Sequence, residues 1–280
     1  MTFAKTYSEA VNEPITFGER SRFAARKLYL DIASLMNVSE EENYLRCIYC
    51  HYVFNDQIET FEKHIINLKN KGKFISTEKM INILEGKEKI IGKNFHFSFD
   101  DGFKNNFLNA VPILIKHQVP AIFFVPTSII DADYDTVKNY CVNTTKYKDA
   151  IEMLTWEDLK KILDLGFEIG SHTKTHARFI DISKDQNIMI EEIKGSKIDL
   201  ERKLNISCKY ISWPFGKISD IDEQSIRYVK SCNYRACFGA FRGSIVPNET
   251  SIFKIPRHHF EVQWPYNHLN YFLRGNKENI

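Results

Sequence analysis

The chain has 280 residues, 43% of them hydrophobic and 26% charged, and its formal net charge is +2 at pH 7. A globular chain of this length can bury a large core without disulfides. The near-neutral charge gives no case for a nucleic-acid polymer or a charged membrane surface as a general partner. Residues 1–20 contain charges and no apolar h-region, and no stretch approaches the ~18 apolar residues of a spanning helix. We therefore expect a cytoplasmic protein with neither a signal peptide nor a transmembrane segment.

Six cysteines occur, and in a reducing compartment we expect them to be free thiols: Cys47, Cys50, Cys141, Cys208, Cys232 and Cys237. Cys47, Cys50 and His51 match the C-x-x-C-H spacing of covalent haem attachment. We reject haem because that attachment requires export, and we reject a zinc ribbon because no second cysteine pair follows at short spacing. The first two cysteines are better interpreted as small apolar residues on a buried strand.

The N-terminal part predicts one helix that packs outside the main core. Residues 20–36 carry Phe23, Leu28 and Ile32 at helical spacing. We assign residues 1–44 to a helical extension that packs on the domain that follows.

From residue 45 the pattern alternates between short apolar runs and segments with helical periodicity. The predicted strands are 45–53, 94–100, 120–126, 167–171, 209–213, 234–239 and 253–260. The predicted helices begin at Thr60, cover 77–85, cover 104–117 with a break at Pro112, start again at the Thr155 capping box, and cover 184–204, 219–231 and a C-terminal piece. Residues 131–154 are polar and irregular, and they predict a lid or a substrate loop.

Strands separated by helices pair in parallel through right-handed crossovers, and about seven such units in one run favour a barrel. We predict an α/β fold, a distorted (β/α)7-type barrel over residues 45–280 with an N-terminal helical extension. In such barrels the chemistry lies at the carboxyl ends of the strands. Polar residues follow several of the predicted strands: His51, Asp100, Asp101, His172 and Arg257–His259.

Two pairs of these residues predict a metal site. Asp100 and Asp101 repel each other unless a bound cation takes one carboxylate as a ligand, which leaves the other free as a base. His172 and His176 are four residues apart, a spacing that allows both to bind one metal. Taken alone, the aspartates are equally typical of an exposed turn, and the histidines are more typical of a protein surface. Together, Asp101 and the two histidines form a three-ligand set that leaves a position open for water, as in catalytic zinc sites.

The order of these motifs resembles that of the polysaccharide deacetylases, the family of the NodB homology domain and carbohydrate esterase family 4. The likeness runs over residues 45–260: LRCIYCHYV is similar to the opening strand, FSFDDGFKNN to the first motif, SHTKTH to the second and WPFG to the third. The resemblance implies that Asp100 is the general base. It also implies that Asp101, His172 and His176 hold one divalent metal, which we expect to be zinc, with cobalt, nickel or manganese as alternatives.

Two features depart from the family pattern. The third motif often begins with an arginine that orients the base, but Ser212 stands there, and the usual C-terminal Leu-x-His motif is not evident. Alternate residues of a strand share a face, so Arg257 and His259 are expected to point the same way and His258 the opposite way. We hypothesise that Arg257 pairs with Asp100 and that His259 is the general acid. A structural polar contact near the barrel rim is an equally good interpretation of each.

Further residues are candidates for contact with the substrate. His51, at the end of the first strand, is expected to line the site or to act as the acid in place of His259. The backbone N–H of Phe215 is a candidate oxyanion donor. The rings of Trp213, Phe215 and Trp264 are candidates to stack on a sugar, although packing is the commoner role of such rings.

The leading interpretation is a hydrolase that removes an N-acyl group, acetyl first and formyl second, from an amino sugar or a sugar-containing intermediate. Its partner is a small-molecule or glycan substrate, and a cytoplasmic location favours a nucleotide-linked or lipid-linked sugar over cell-wall polymer. One alternative is a linear or cyclic amidase with a non-sugar substrate. The other is a non-catalytic carbohydrate-binding relic, which the retention of both aspartates and both histidines disfavours. The sequence does not indicate an oligomeric state.

Overall fold

Parallel strands form the main sheet of the protein, which a computed structural model describes over residues 2–11, 16–35 and 41–274. Runs of aromatic and aliphatic residues form these strands because both faces of the sheet are covered. The strands are β1 Tyr44–Cys50, β2 Lys73–Phe74, β3 Lys93–Phe99, β4 Ile122–Val125, β5 Glu168–Ser171, β6 Tyr210–Ser212, β7 Ala236–Phe238 and β8 His258–His259.

Helices lie between the strands along the chain. They are α1 Tyr7–Ala10, α2 Phe17–Leu35, α3 Ile58–Lys71, α4 Thr77–Leu84, α5 Val111–Lys116, α6 Tyr134–Asn139, α7 Trp156–Asp164, α8 Phe179–Ile182, α9 Gln186–Met189, α10 Ser196–Leu204, α11 Glu223–Ser231 and α12 Tyr266–Arg274. π-helical segments precede α5 and α10 and follow α6, at Asn106–Ala110, Ile190–Gly195 and Tyr140–Thr144. Short 3-10 turns cover Asn55–Gln57 and Ile218–Asp220.

The strands run in the order β7-β6-β5-β4-β3-β1-β8, and every neighbouring pair is parallel. β2 pairs with β3 beside this path. The segment around β8 joins the two ends of the sheet, because Ile255 bridges Phe238 of β7 while His258 and His259 pair with β1. The fold is therefore a distorted parallel (β/α) barrel, as the sequence predicted.

The core has one layer on each face of the sheet, since successive strand residues point to opposite faces. Phe97 and Phe99 belong to the outer layer, which they share with buried residues of the helices around the barrel. Cys47 and Phe124 belong to the inner layer, which α4 completes with Met80 and its neighbours. The predicted burial of Cys47 and Cys50 is confirmed, and all six cysteines are buried free thiols.

Most predicted elements are confirmed to within a few residues, and the larger differences are at 131–154 and 253–260. α3 begins at Ile58 rather than at Thr60, because the preceding 3-10 turn runs directly into it. Residues 131–154 are not irregular as predicted. They contain α6 and a π-helical segment that bury Val137, Tyr140 and Cys141, and such buried side chains among polar neighbours escape a test for simple periodicity.

Two prolines explain where regular structure is interrupted. The predicted break at Pro112 takes the form of a π turn, in which the Val111 N–H donates to the Asn106 carbonyl, and Pro112 lies in the first turn of α5. The last predicted strand, 253–260, is reduced to β8 and the isolated bridge at Ile255. Pro256 lies between them and has no N–H to continue the ladder.

The N-terminal residues pack on the barrel at two places. Residues 2–11 hydrogen-bond to it, for example from the Ala4 N–H to the Ala150 carbonyl at 2.9 Å. α2 packs through Leu30 and Ala33 on a small apolar cluster that includes residues of α12. The helix predicted over 20–36 is confirmed as far as Leu35, while residue 36 lies outside the described residues. The division of the chain at residue 44 stays a prediction.

Among the described helices, none combines the length and the apolar character that crossing a membrane requires.

Gly170 lies where β5 passes close to its neighbours, and we expect Gly170→Ala to destabilise the barrel. An added Cβ would lie 2.5 Å from Cε1 of Phe124 and 3.1 Å from the Tyr210 carbonyl oxygen. Such overpacking costs about 1–3 kcal/mol, which a urea unfolding curve measures. Gly195→Ala is the matched control. Gly195 has helical φ and ψ angles, and its Cβ would meet nothing nearer than 3.7 Å, so that variant should be neutral or stabilised by about 0.5–1 kcal/mol. Equal unfolding midpoints for Gly170→Ala and the wild type would contradict the expected clash.

Candidate metal centre and active site

A cavity of about 470 Å³ opens at the carboxyl ends of the strands. Its wall brings together residues that lie far apart in the sequence: His51, Asp100, Asp101, His172, His176 and Phe215. Thr144, Lys146 and Tyr147 also line it, so the segment predicted as a substrate loop borders the cavity. The polar strand ends singled out in the sequence therefore meet in one place.

Asp101, His172 and His176 converge on one point. Their ligand atoms lie within 4.8 Å of one another, and all three residues are buried. Oδ1 of Asp101 lies 3.5 Å from Nε2 of His172 and 3.2 Å from Nε2 of His176. Burial alone would raise the pKa of Asp101, but its contacts with the two imidazoles hold that pKa well below the usual range. The carboxylate is therefore charged, and the three side chains could together hold a cation.

The ring orientation of His172 is set by a second contact. Its Nδ1 donates to the Ser212 carbonyl at 2.8 Å, so a neutral ring presents the lone pair of Nε2 to the Asp101 carboxylate. Two lone pairs that face each other repel unless a proton or a metal ion lies between them. This arrangement is typical of histidines that bind metals through Nε2.

The loop that carries both histidines is held by a buried carboxylate, Glu192. It accepts hydrogen bonds from the backbone N–H groups of Lys174 and Thr175 at 3.1 and 2.9 Å, and from the Thr175 hydroxyl at 2.6 Å. Glu192 lies in the π-helical segment ahead of α10. The wider turn of a π-helix is frequent at functional sites, and here it directs a carboxylate at the loop between the two ligands.

Backbone strain is concentrated in the same place. Asp101, Thr173, His176 and Phe215 have φ angles of 70°, 64°, 66° and 63°. Residues with a Cβ rarely adopt this left-handed region, and each instance costs on the order of 1–3 kcal/mol. The surrounding barrel must therefore supply the free energy that holds these four residues in place.

Asp100 forms a bidentate ion pair with Arg257. Nη1 and Nη2 of the arginine donate to the two carboxylate oxygens at 2.8 and 2.7 Å, and both side chains are buried. The pairing that we hypothesised from strand alternation is therefore present in the structure. Arg257 and His259 both lie against the ring of Tyr49, whereas Nε2 of His258 contacts the Gly243 carbonyl on the other side.

Every N–H group of Arg257 has an acceptor. Besides the bonds to Asp100, Nη1 donates to the Ser98 hydroxyl at 3.0 Å, Nη2 to the Ser212 hydroxyl at 2.6 Å and Nε to the Gly239 carbonyl at 2.6 Å. Ser212 stands where the family often has an arginine, and here its hydroxyl accepts a hydrogen bond from the guanidinium of Arg257. A cation from the residue just before β8 thus lies beside the carboxylate that the missing arginine would have contacted.

His51 and His259 lie at different depths. The ring of His51 lines the cavity, and its backbone carbonyl accepts a hydrogen bond from Asn106 at 2.7 Å. The ring of His259 packs behind it, 5.0 Å away between centroids, and is not part of the cavity wall. Burial, followed by the charges of His51 and Arg242, holds the pKa of His259 well below its usual range.

Glu261 also borders the cavity, and the sequence did not single it out. Its carboxylate accepts a 2.6 Å hydrogen bond from the Tyr52 hydroxyl and lies 3.3 Å from Nε2 of His259. Burial raises the pKa of Glu261, and the bond from Tyr52 opposes that shift.

The aromatic candidates differ in what they offer a substrate. Trp213 borders the cavity, but its side chain is fully buried, packs against Phe241 and donates its indole N–H to the Lys217 carbonyl, so its stacking on a sugar stays a prediction. Phe215 is 39% exposed at the cavity wall, where its ring meets His176. Trp264 lies away from the cavity wall, edge-on to His259.

Glu192 is a site residue that the sequence reasoning missed, although a signal was present. It interrupts an apolar stripe formed at helical spacing by Met189, Ile193 and Leu200, which are all buried. A charged residue inside such a stripe needs a buried partner. A charged residue at such a position indicates a buried polar contact, but the sequence does not tell which loop provides the partner.

The sequence model of the family described as polysaccharide deacetylase matches residues 87–237. The chain belongs to the polysaccharide deacetylase family. It is accordingly an enzyme of the deacetylase class, which acts on amide C–N bonds other than peptide bonds.

The individual relatives share low sequence identity with this chain. The poly-beta-1,6-N-acetyl-D-glucosamine N-deacetylase of Staphylococcus epidermidis is 24% identical over 237 residues, 81% of this chain and 72% of that protein. The protein of the same name from Staphylococcus aureus is 24% identical over 204 residues, 70% of this chain and 64% of its own length. The chain therefore spans less than two thirds of the Staphylococcus aureus relative.

Solved structures support the fold. IcaB from Ammonifex degensii superposes with a TM-score of 0.69 at 16% identity and covers 84% of this chain and 99% of that one. The Streptococcus pyogenes deacetylase PplD in complex with acetate superposes with a TM-score of 0.64 at 17% identity, over 85% of this chain and 100% of that one. At such identities the likeness establishes the barrel fold alone.

We expect Arg257→Met to lower the free energy of unfolding by about 3–5 kcal/mol, because it leaves the carboxylate of Asp100 buried without its cation. Urea unfolding monitored by far-UV circular dichroism measures the loss. The double variant Asp100→Leu with Arg257→Met removes both charges and should recover part of it. A loss of less than about 1 kcal/mol in the single variant, as found for exposed ion pairs, would contradict the burial of this pair.

Proposed function

We propose that this protein removes the N-acetyl group from an amino sugar of a glycan or glycan precursor, with a divalent metal held by Asp101, His172 and His176 and with Asp100 as general base. The observation that carries the proposal is the convergence of these four side chains at one cavity in a barrel of the deacetylase family. The staphylococcal relatives are named as deacetylases of an N-acetylglucosamine polymer, which supports an N-acetyl sugar. A formyl group is the second candidate for the acyl group removed.

The donor set fits a metal. Two imidazole nitrogens and one carboxylate oxygen point at one another at distances that are unfavourable unless a proton or a metal ion lies between them, and the Ser212 carbonyl fixes which nitrogen His172 presents. Two histidines and one carboxylate are a common set for catalytic zinc, and such sets leave a position open for water. Zinc is therefore the ion that we propose.

The protein's own groups then divide the work. A divalent cation at the site supplies Lewis-acid polarisation of the acyl oxygen and of the attacking water. Asp100 accepts the proton of that water, and its pairing with Arg257 fixes the position of the carboxylate. The backbone N–H of Phe215, in the strained turn at the cavity wall, is the proposed donor to the oxyanion.

We propose His51 rather than His259 as the acid that protonates the leaving amine. A general acid must reach the leaving group directly or through one water. His51 lines the cavity, whereas His259 lies behind it beside Glu261 and Trp264. In this arrangement His259 supports the ring of His51 from behind.

The non-sugar amidase remains the second candidate. The segment around Lys146 and Tyr147, which borders the cavity, is where the two classes of substrate would be distinguished. The relic interpretation requires loss of the base or of a ligand, and the chain retains Asp100, Asp101, His172 and His176.

Two aspartate variants separate metal binding from proton transfer. Asp101→Asn should lose the metal and the activity together, because the amide supplies no charge to the cation. Asp100→Asn should keep the metal and lose about 10²–10⁴-fold in kcat, because the amide cannot accept the proton of water. Inductively coupled plasma mass spectrometry measures the metal, and release of acetate or formate from N-acetyl and N-formyl amino sugars measures turnover.

Glu157→Gln, on the exposed first turn of α7, is the control for a carboxylate remote from the site. Purified protein that neither retains nor rebinds a divalent metal would rule out the proposed centre. Full activity of Asp100→Asn would remove Asp100 as the base.

The two histidines can be distinguished by separate substitution. His51→Gln should reduce kcat by about 10²–10⁴-fold and abolish the limb of the pH profile that reports the acid. His259→Gln should affect kcat much less. The pH dependence of kcat for both variants is the measurement, and a large effect of His259→Gln with full activity of His51→Gln would reverse the assignment.

A further inference from the structure

Arg26 and Arg242 lie near each other beside the active-site cavity, on elements that the proposed chemistry does not use. Arg26 lies on α2, with its guanidinium 5.2 Å from the centre of the Trp264 ring. Arg242 lies in the loop after β7, with its guanidinium 3.7 Å from the centre of the Phe272 ring. The two rings are themselves in contact, with centroids 6.0 Å apart. Aromatic rings therefore form a continuous floor beneath the two cations.

Neither arginine has a carboxylate partner within the part of the chain that the structure describes. Nε of Arg242 is buried and has no acceptor there. Burial, followed by the positive charge of Arg26, lowers the pKa of Arg242. Arg26 is exposed, whereas Arg242 is half-buried. A buried donor without an acceptor is unfavourable, so an anion bound at this pair would satisfy Nε of Arg242 and offset the repulsion between the two cations.

The nearby carboxylates are already engaged. Asp31, on α2, contacts Nε2 of His268 at 2.6 Å. Glu261 accepts the hydrogen bond from the Tyr52 hydroxyl and faces the cavity. The protein thus has acidic groups on the neighbouring elements but commits them to other partners.

This cationic pair is connected to the cavity wall through a row of rings. Trp264, under Arg26, lies 6.0 Å from His259, and His259 lies 5.0 Å from His51 at the wall. Ala240, two residues before Arg242, is itself part of that wall. A phosphate group at the arginines and an acyl amino sugar in the cavity could therefore be parts of one extended molecule.

We propose that Arg26 and Arg242, over the Trp264 and Phe272 floor, form a subsite for a phosphate group of the substrate. Guanidinium groups bind phosphate through paired N–H donors, more strongly than neutral donors do. The proposal rests on the deacylase function and names its substrate class: an N-acyl amino sugar attached to phosphate or diphosphate. A nucleotide and a lipid carrier offer the same phosphate chemistry.

The first test uses binding alone. Inorganic phosphate and pyrophosphate are titrated into the full-length protein by isothermal titration calorimetry, with and without bound zinc, because phosphate also binds metals. Binding that persists without zinc and weakens about tenfold or more in Arg26→Met with Arg242→Met supports the subsite. Methionine keeps apolar contact with the rings. Arg202→Met with Arg227→Met, which removes two exposed arginines on α10 and α11, is the charge-matched control. Binding that is lost when zinc is removed, or that the double variant leaves unchanged, overturns the proposal.

The second test uses turnover. We expect kcat/KM for N-acetylglucosamine 1-phosphate to exceed that for N-acetylglucosamine by about tenfold or more, and the double variant to remove this preference while leaving the rate with the free sugar unchanged. The uridine-diphosphate sugar and a polyprenyl-diphosphate sugar in detergent distinguish the two carriers, and preference for either supports the subsite. An unchanged ratio in the double variant overturns it. If no sugar is deacylated at all, the deacylase function fails, while the phosphate titration still decides whether the subsite exists.

Discussion

The buried ion pair between Asp100 and Arg257 is the interaction on which the active site depends. A carboxylate cannot stay charged in this interior without a cation, and a guanidinium cannot be buried unless its donors are satisfied. Arg257 meets both conditions with groups from three other parts of the sheet: Ser98 of β3, Ser212 of β6 and the Gly239 carbonyl after β7. The same contacts hold the last strand segment between β7 and β1. Closure of the barrel and placement of Asp100 are therefore one structural event.

On the side of the cavity that carries Asp101, His172 and His176, other interactions fix the backbone. Its residues adopt strained left-handed backbone angles, and a carboxylate from a π-helical segment, Glu192, bonds the loop between the two histidines. Strain of this kind persists only where the surroundings over-determine the conformation. Asp100 is thus fixed by charge pairing and the loop that carries both histidines by backbone hydrogen bonds, and the two sets meet at Ser212, which bonds Arg257 through its hydroxyl and His172 through its carbonyl.

The sequence allowed the barrel and the four central residues to be predicted, because each signal was local. An apolar run followed at once by Asp100 or His172 places a polar group at a strand end without knowledge of the partner. The pairing of Arg257 was within reach because alternation along a strand is a two-residue rule. Glu192 and the helix within 131–154 were out of reach, because their roles are set by tertiary contacts. The burial of Trp213 and the exposure of Phe215 were out of reach for a related reason, because only packing decides how much of each ring is accessible.

The position of Arg257 long after Asp100 in the sequence also orders the assembly of the site in time. The base and its cation are separated by 157 positions, and synthesis proceeds from the N-terminus, so a growing chain contains both aspartates and both histidines long before the residue that neutralises Asp100 has been made. Until then the carboxylate must remain hydrated, and the interior of the barrel must remain open to water. The ion pair between Asp100 and Arg257 can therefore form only after translation has passed Arg257.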